Sequence, residues 1–484
     1  MDQPPQQIVE LTIERMGAKA MGLARLNGKR VLVARGLPGE TLRAELAREQ
    51  PDYLTALALE PVVPSPQRVE PACPHFAQCG GCDWQHLAYP AQLEAKRQTA
   101  EETFRRQGGL EPPPGWILHP CPRPLEYRDR LTFAAVPVSP GTGPAALVPG
   151  FFPWKEGPPV AVEVCRLAPE VLTRLAAQAL AWPPLAGLNP AALQVETVLH
   201  GPPQAPRLGL VLRVNQTALL QALAHQGDSL TAWLDAPWDG IPHPPVDQVA
   251  LLADNGKGEA RLLRGDGRLE KHLGPHRWMA PLGGFFQVNP TMAEALVGRL
   301  SEHLAEPWVQ HLAGPNTGKH KKTKQNSGAG TKHPSLMDLY CGAGLLSLPL
   351  ARQGWAVTGV EQNQEAAALA QTQSTTEGLK QARFVGANLE TPGELTRQAA
   401  RHQKAFGPPT VLLADPPRRG LSAQVVREIM ALGPPVVVLV SCDGATLARD
   451  AARLSTAYGL ASLEGFDLFP QTHHLEFLAV LKRK

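Results

Sequence analysis

The 484-residue sequence predicts a multidomain protein: a small N-terminal β-barrel, a central α+β domain with a cysteine cluster, and a C-terminal doubly wound, Rossmann-like α/β domain. Three observations predict it. The chain is too long for one ordinary hydrophobic core. Residues 8–60 carry short β-rich runs between Gly- and Pro-containing turns, and from about residue 335 short apolar strands alternate with helical segments.

The N-terminal runs are IVELTI, KRVLVA, TLRAEL and YLTALALE, separated by GAKAMG, NGK and GLPGE. They fit a five-stranded antiparallel barrel of the OB type over residues 1–62. Such barrels often bind oligonucleotides, and some only pack against a neighbouring domain. Residues 63–280 mix a cysteine cluster, strand-like stretches such as RLGLVLRVN and a helical stretch at about 90–107 that is expected to pack on the C-terminal domain. Residues 281–484 open with helical periodicity over 291–305. A Gly-, Lys-, Ser- and Asn-rich insertion at 314–334 follows, read either as a passive loop or as an arm that touches RNA. Beyond it come strand LMDLY, a glycine turn, helix LLSLPLARQ, strand AVTGVE, helix QEAAALAQTQ, strands RFVGA and TVLLA, helix SAQVVREIMAL and strand VVVLVS. In such sheets ligands bind outside the carboxyl ends of the strands.

Composition bounds the function. No apolar run approaches the roughly 20 residues of a membrane span, and the start MDQPPQQ lacks a basic-then-apolar leader, so a soluble, unexported, cytoplasmic protein is expected. A net charge of +3 permits a nucleic-acid partner without demanding one. Seven cysteines in so long a chain argue against an extracellular disulfide framework, so each is weighed as ligand, nucleophile or core filler.

The cofactor signal is Asp338-Leu-Tyr-Cys-Gly-Ala-Gly344 at a strand-to-helix junction, with Glu361 ending the next strand. Glycines admit a ligand to the backbone, and an acidic group after the second strand can accept from ribose hydroxyls. Ser347 stands where a dinucleotide fingerprint has its third glycine, which favours a nucleoside-type cofactor such as S-adenosylmethionine over a nicotinamide dinucleotide. Asp415-Pro-Pro-Arg418 lies on the same edge. Enzymes that methylate exocyclic amino groups tend to carry an aromatic in the fourth place, where Arg418 stands here.

Cys442 follows the apolar strand VVVLV just ahead of a helix, where the helix dipole can stabilise a thiolate. On position alone it could equally be a small buried side chain. Uracil C5 becomes nucleophilic only after a thiolate adds at C6, and a base must later remove the C5 proton. Glu476, beside His473 and His474 in FPQTHHLEFLAVLKRK, can supply that base, although a glutamate there is commonly a solvated strand end. Cys73-x5-Cys79-Gly-Gly-Cys82 and the distant Cys165 offer four thiols, suited to zinc or to a [4Fe–4S] cluster; spacing does not separate the two. Cys121 and Cys341 read as packing residues.

The strings DLYCGAG, ADPPRRGL, VSCDGATLARD and FPQTHHLE, with FFQVN at 285–289 and YRDRLTF at 127–133, resemble in order and spacing the RNA uracil-C5 methyltransferases of bacterial ribosomal RNA and tRNA. The resemblance spans nearly the whole chain and likens its beginning to the TRAM domain of those enzymes. It implies that Gln287, Tyr340, Gly342, Glu361, Asn388 and Asp415 hold S-adenosylmethionine or the target base. It further implies Cys442 as nucleophile, Glu476 as general base with Asp415 beside it, and a [4Fe–4S] cluster on Cys73, Cys79, Cys82 and Cys165. The cluster-bearing pattern favours 23S rRNA over tRNA as substrate, and a monomer is expected. Two departures stand out: Asp443-Gly444 replaces the usual Asn-Pro after the cysteine, and Leu345 replaces an Asn. They motivate a second reading, an RNA-binding or assembly factor with an impaired methyltransferase domain. Asp443 should raise the thiol pKa, and the helix dipole with Arg418 or Arg419 is expected to offset it.

Overall fold

The computed structural model describes residues 7–138, 146–186, 188–215, 217–238, 240–253, 261–312 and 334–484. All of the basic insertion at 314–334 except Pro334 lies outside the described residues.

Six strands build the N-terminal barrel: β1 (Ile8–Thr12), β2 (Arg15–Met16), β3 (Met21–Leu26), β4 (Lys29–Ala34), β5 (Thr41–Glu49) and β6 (Tyr53–Val63). Their order is β1-β5-β6-β4-β3-β2. The two end strands are joined through Ile13 and Glu14 alone, so the sheet closes on itself. Leu11, Ile13, Val31, Val33 and Leu42 fill the interior. The barrel is not purely antiparallel, because β4 and β6 run parallel. Strand β3 begins inside the stretch read as the turn GAKAMG; its Gly22 passes so close to Gly36 that a Cβ would sit 2.7 Å from the Gly36 carbonyl oxygen.

Helix α1 (Tyr89–Thr103) and strand β7 (Ile117–His119) follow. The central sheet then takes β8 (Arg130–Val138), β9 (Ala146–Phe151), β10 (Val160–Ala161), β11 (Leu193–His200), β12 (Arg207–Val214), β13 (Val246–Ala253) and β14 (Arg261–Arg264), in the order β10-β9-β8-β11-β12-β13-β14. Helix α2 (Glu170–Leu180) packs Leu172, Leu175 and Ala179 onto Phe133, Val195 and Leu210 of this sheet, and α3 (Thr217–Ala224) and α4 (Gly227–Asp235) complete the layer. The hairpin β15 (Arg268–Leu273) and β16 (His276–Pro281) leads to α5 (Pro290–Ala305), which Asn289 caps by accepting from Met292 N, and to α6 (Pro307–Leu312).

The C-terminal domain runs β17 (Ser335–Leu339), α7 (Leu348–Arg352), β18 (Ala356–Glu361), α8 (Gln364–Thr376), β19 (Ala382–Gly386), α9 (Glu394–Phe406), β20 (Val411–Ala414), α10 (Ala423–Leu432), β21 (Val436–Ser441), α11 (Gly444–Leu454), β22 (Tyr458–Phe466) and β23 (Glu476–Arg483). Sheet order is β19-β18-β17-β20-β21-β23-β22-β7. From β19 to β21 neighbours are parallel; β23 is antiparallel to both β21 and β22. The strand order reverses between β17 and β20, where an open α/β sheet forms its ligand crevice.

The segment 89–119, counted with the central domain by composition, belongs structurally to this last sheet. Strand β7 pairs with β22, and Ala100 and Phe104 share a core with Met337, Leu412, Val437 and Ala448. The buried face of α1 includes Gln92 and Lys96, so apolar periodicity does not reveal where it docks. Among the described residues no helix is long and apolar enough to cross a membrane.

Candidate active site

A cleft of about 940 Å³ opens at the carboxyl ends of β17, β18, β20 and β21. On one side β17 runs into a turn in which Tyr340 (φ 62°), Gly342 (φ 53°) and Gly344 (φ 80°) adopt left-handed backbone. This is costly for Tyr340 and marks a constrained site. Gly344 has no room for a side chain, since a Cβ would meet Leu348 at 2.9 Å. Glu361 locks the turn: Gly342 N donates to its Oε2 at 3.0 Å and Asn363 N to its Oε1 at 2.7 Å. Tyr340 Oη donates to Glu390 at 3.2 Å. Gln287, buried, lines the same wall with Phe286 and Leu345.

Asn388 stands apart from the other expected cofactor residues. It is exposed, it does not line the cleft, and its Oδ1 accepts from Glu390 N at 2.9 Å. Glu390 itself lines the cleft, a role that sequence reading missed because only the fold brings the end of β19 beside Tyr340. Phe285, 77% exposed at the cleft wall, was likewise legible only as part of a motif.

The opposite side gathers Cys442, Asp415 and Glu476. Burial and the Glu361 carboxylate push Asp415 up to about 7. Glu476, the first residue of β23, is raised well above the usual glutamate range by burial and then by Asp415, against the pull of Arg418. The Cys442 thiol stands at about 11, raised by burial and then by Glu476; Arg418 opposes, and Asp415 and Asp443 add to the rise. The expected offset is therefore incomplete. Arg418 acts in the expected direction but is outweighed, and Arg419 lies 3.6 Å from Glu390 instead. Asp443 contributes least of these charges; it caps α11, its Oδ1 accepting from Thr446 N at 2.8 Å.

Glu476 is delivered by the segment between β22 and β23, and α1 clamps that segment. Lys96 Nζ donates to Asp467 Oδ1 at 2.5 Å and to the Phe469 carbonyl at 3.2 Å; Tyr89 Oη donates to Asp467 Oδ2 at 2.8 Å; Gln92 Nε2 donates to Gln471 Oε1 at 2.9 Å. Lys96 and Asp467 have fully buried side chains.

Cys73, Cys79, Cys82 and Cys165 line a second cavity, of about 360 Å³. Burial raises Cys82 to about 12 and Cys165 to about 11, with neighbouring thiols adding to the rise. Gln85 Nε2 donates to Cys82 Sγ at 3.2 Å and Gly81 N to Cys79 Sγ at 3.3 Å. Among the described residues no three His, Cys, Asp or Glu side chains are grouped so that they could hold a metal ion as they stand. Gly81 and Arg128 border both cavities. Cys121 and Cys341 are buried.

Comparisons place this geometry among known proteins. Residues 322–484 match the family described as tRNA (Uracil-5-)-methyltransferase. An RNA methyltransferase of Thermosynechococcus vestitus is 31% identical, covering 98% of this chain and 97% of its own. The 23S rRNA (uracil(1939)-C(5))-methyltransferase RlmD of an Azoarcus species is 31% identical, covering 97% of this chain and 99% of its own. The solved structure of the Pyrococcus abyssi tRNA (uracil-54, C5)-methyltransferase with S-adenosyl-L-homocysteine superimposes with a TM-score of 0.67 at 22% identity, over 97% of this chain and 99% of that one, a likeness of fold.

Proposed function

The chain belongs to the RNA uracil-C5 methyltransferase family, and from that premise we propose a residue-level path for its S-adenosylmethionine-dependent methylation of uracil C5 in RNA. The observation that carries the path is the convergence of Cys442, Asp415 and Glu476 on one cleft opposite the turn held by Glu361. Cys442 loses its proton and adds to uracil C6, the ring double-bond electrons moving toward O4 as an enolate. C5 then takes the methyl group, whose bond to the sulfonium sulfur breaks to leave S-adenosylhomocysteine. Glu476 removes the C5 proton, the C5–H electrons re-form the C5–C6 double bond, and the thiolate departs. Asp415, with its carboxyl near neutrality, is suited to hydrogen-bonding the uracil edge. Gln287, Tyr340 and Gly342 would hold the methyl donor, and Glu361 would accept hydrogen bonds from its ribose hydroxyls. Cys442→Ala should abolish methyl transfer from labelled cofactor, while the wild type should form a covalent adduct with 5-fluorouracil RNA; turnover by the alanine variant would refute the path.

We propose that the four-cysteine cavity takes a [4Fe–4S] cluster; what supports this is that Cys73, Cys79, Cys82 and Cys165 all line one cavity. Such a cluster would cross-link the loop at 73–82 to Cys165. The likeness to RlmD supports a 23S rRNA substrate over tRNA. The barrel supports a TRAM-like role in RNA binding, and we propose that the protein works as a cytoplasmic monomer. Mapping the 5-methyluridines lost from rRNA and tRNA in a deletion strain tests the substrate. Tight RNA binding with no methyl transfer to any uracil-containing RNA would instead favour the assembly-factor reading.

A further inference from the structure

Asp83 follows directly on Cys82, and its Oδ2 accepts two hydrogen bonds from a single residue 390 positions away in the chain: His473 N at 3.0 Å and His473 Nδ1 at 2.6 Å. The backbone repeats the contact, since Asp83 N and Trp84 N both donate to the Gln471 carbonyl, at 2.9 and 3.0 Å. Trp84, the next residue, is buried against Met16, Leu37, Leu87 and Ala95, so this end of the cysteine loop is anchored by packing as well. Three residues beyond His473 stands Glu476, and between them His474 holds its ring centroid 4.2 Å from that of His473, tilted by 34°. Asp83, His473, His474 and Glu476 all line the catalytic cleft.

We propose that Asp83 is a positioning residue that ties the cysteine loop to the segment carrying Glu476, so that filling of the four-cysteine cavity governs the base-dependent last step of the reaction. This rests on the reading of Glu476 as the base and of the cavity as a cluster site. Cys442 stands beside Glu476, because β21 pairs with β23 through Ser441 and Phe477, but its own place is set by β21 and α11 and not by the cysteine loop. A loosened Glu476 therefore slows removal of the C5 proton while thiolate addition and methyl transfer continue. A displacement near 1 Å is enough to cost about 10²-fold in rate. One acceptor oxygen serves both His473 donors, so Asp83→Asn can keep the tie and Asp83→Ala cannot.

The experiment compares full-length wild type, Asp83→Asn, Asp83→Ala and His473→Ala, each assayed for iron per chain, turnover on uridine RNA, Michaelis constants, and adduct formation with 5-fluorouracil RNA, which needs no proton removal at C5. Asp83→Ala and His473→Ala are expected to lose about 10–100-fold in kcat with Michaelis constants within about twofold. They should accumulate a covalent RNA adduct on ordinary uridine substrate and trap 5-fluorouracil RNA as fast as wild type. Asp83→Asn should restore turnover. Wild type stripped of iron should share the alanine phenotype, and His473→Ala, remote from the cysteines in sequence, should keep its iron. Unchanged kcat in both alanine variants, equal loss of trapping and turnover, or iron-free enzyme that turns over normally would overturn the proposal. Failure of wild type to trap 5-fluorouracil RNA at all would count against the covalent path itself.

Discussion

Cys442 and Glu476 work against each other at rest: burial raises both groups, and the Glu476 carboxylate is the largest charge raising the thiol. The thiolate fraction then grows about tenfold per pH unit below the thiol pKa, so adduct formation with 5-fluorouracil RNA should accelerate from pH 6.5 to 9. Glu476→Gln removes that charge and lowers the thiol pKa, so its adduct should form at lower pH than the wild-type adduct, while turnover on uridine RNA is lost. A profile of trapping rate against pH for the two proteins checks this; coincident curves would mean the two groups do not interact. These residues were legible in the sequence because the chemistry demands a nucleophile and a base together. Asp443 raises the thiol as its charge beside Cys442 implies, but less than Glu476 or Asp415 does, and its capping of α11 is seen only once the Thr446 amide is placed beside it. Glu390 was invisible because it meets Tyr340 only where the loop after β19 reaches the turn after β17 past the intervening β18.

Among the elements, the β22–β23 connection depends on α1 more than its sequence suggests. Lys96→Met would leave Asp467 buried beside Tyr89 without its cation, at a cost of about 3–5 kcal/mol. Denaturant unfolding should show that loss, and turnover should fall with it because Glu476 sits at the end of the same segment. Replacing Lys96 and Asp467 together by Met and Leu should recover much of the stability. The parallel strands and most helices of the last domain were readable from alternating apolar runs. Helix α9 was not, since its buried face includes Glu394, Gln398 and His402, and the barrel's parallel pair β4–β6 depends on long-range register that local patterning does not encode.

Across the whole molecule, catalysis concentrates acid in the core beneath the cleft, and stability bears the cost. Asp338, the penultimate residue of β17, is fully buried, and burial, with the charges of Asp415 and Glu361 and against the pull of Ser347, raises it to about 8. In the unfolded chain an aspartate ionises near 3.9. The folded protein therefore holds a proton that the unfolded chain has released between about pH 4 and pH 8, and stability must fall as pH rises through that window. Asp338→Asn removes the titration while keeping the shape. Thermal unfolding at pH 5 and at pH 8.5 should show a drop for wild type that is larger than for the variant, by an amount equivalent to about 1–4 kcal/mol. Comparing the two slopes, and not the two melting temperatures at one pH, cancels whatever the amide itself costs in this buried site beside Ser347. Equal slopes would mean that Asp338 is ionised in the folded state and that the strand beneath the cofactor turn tolerates a buried charge beside Glu361 and Asp415.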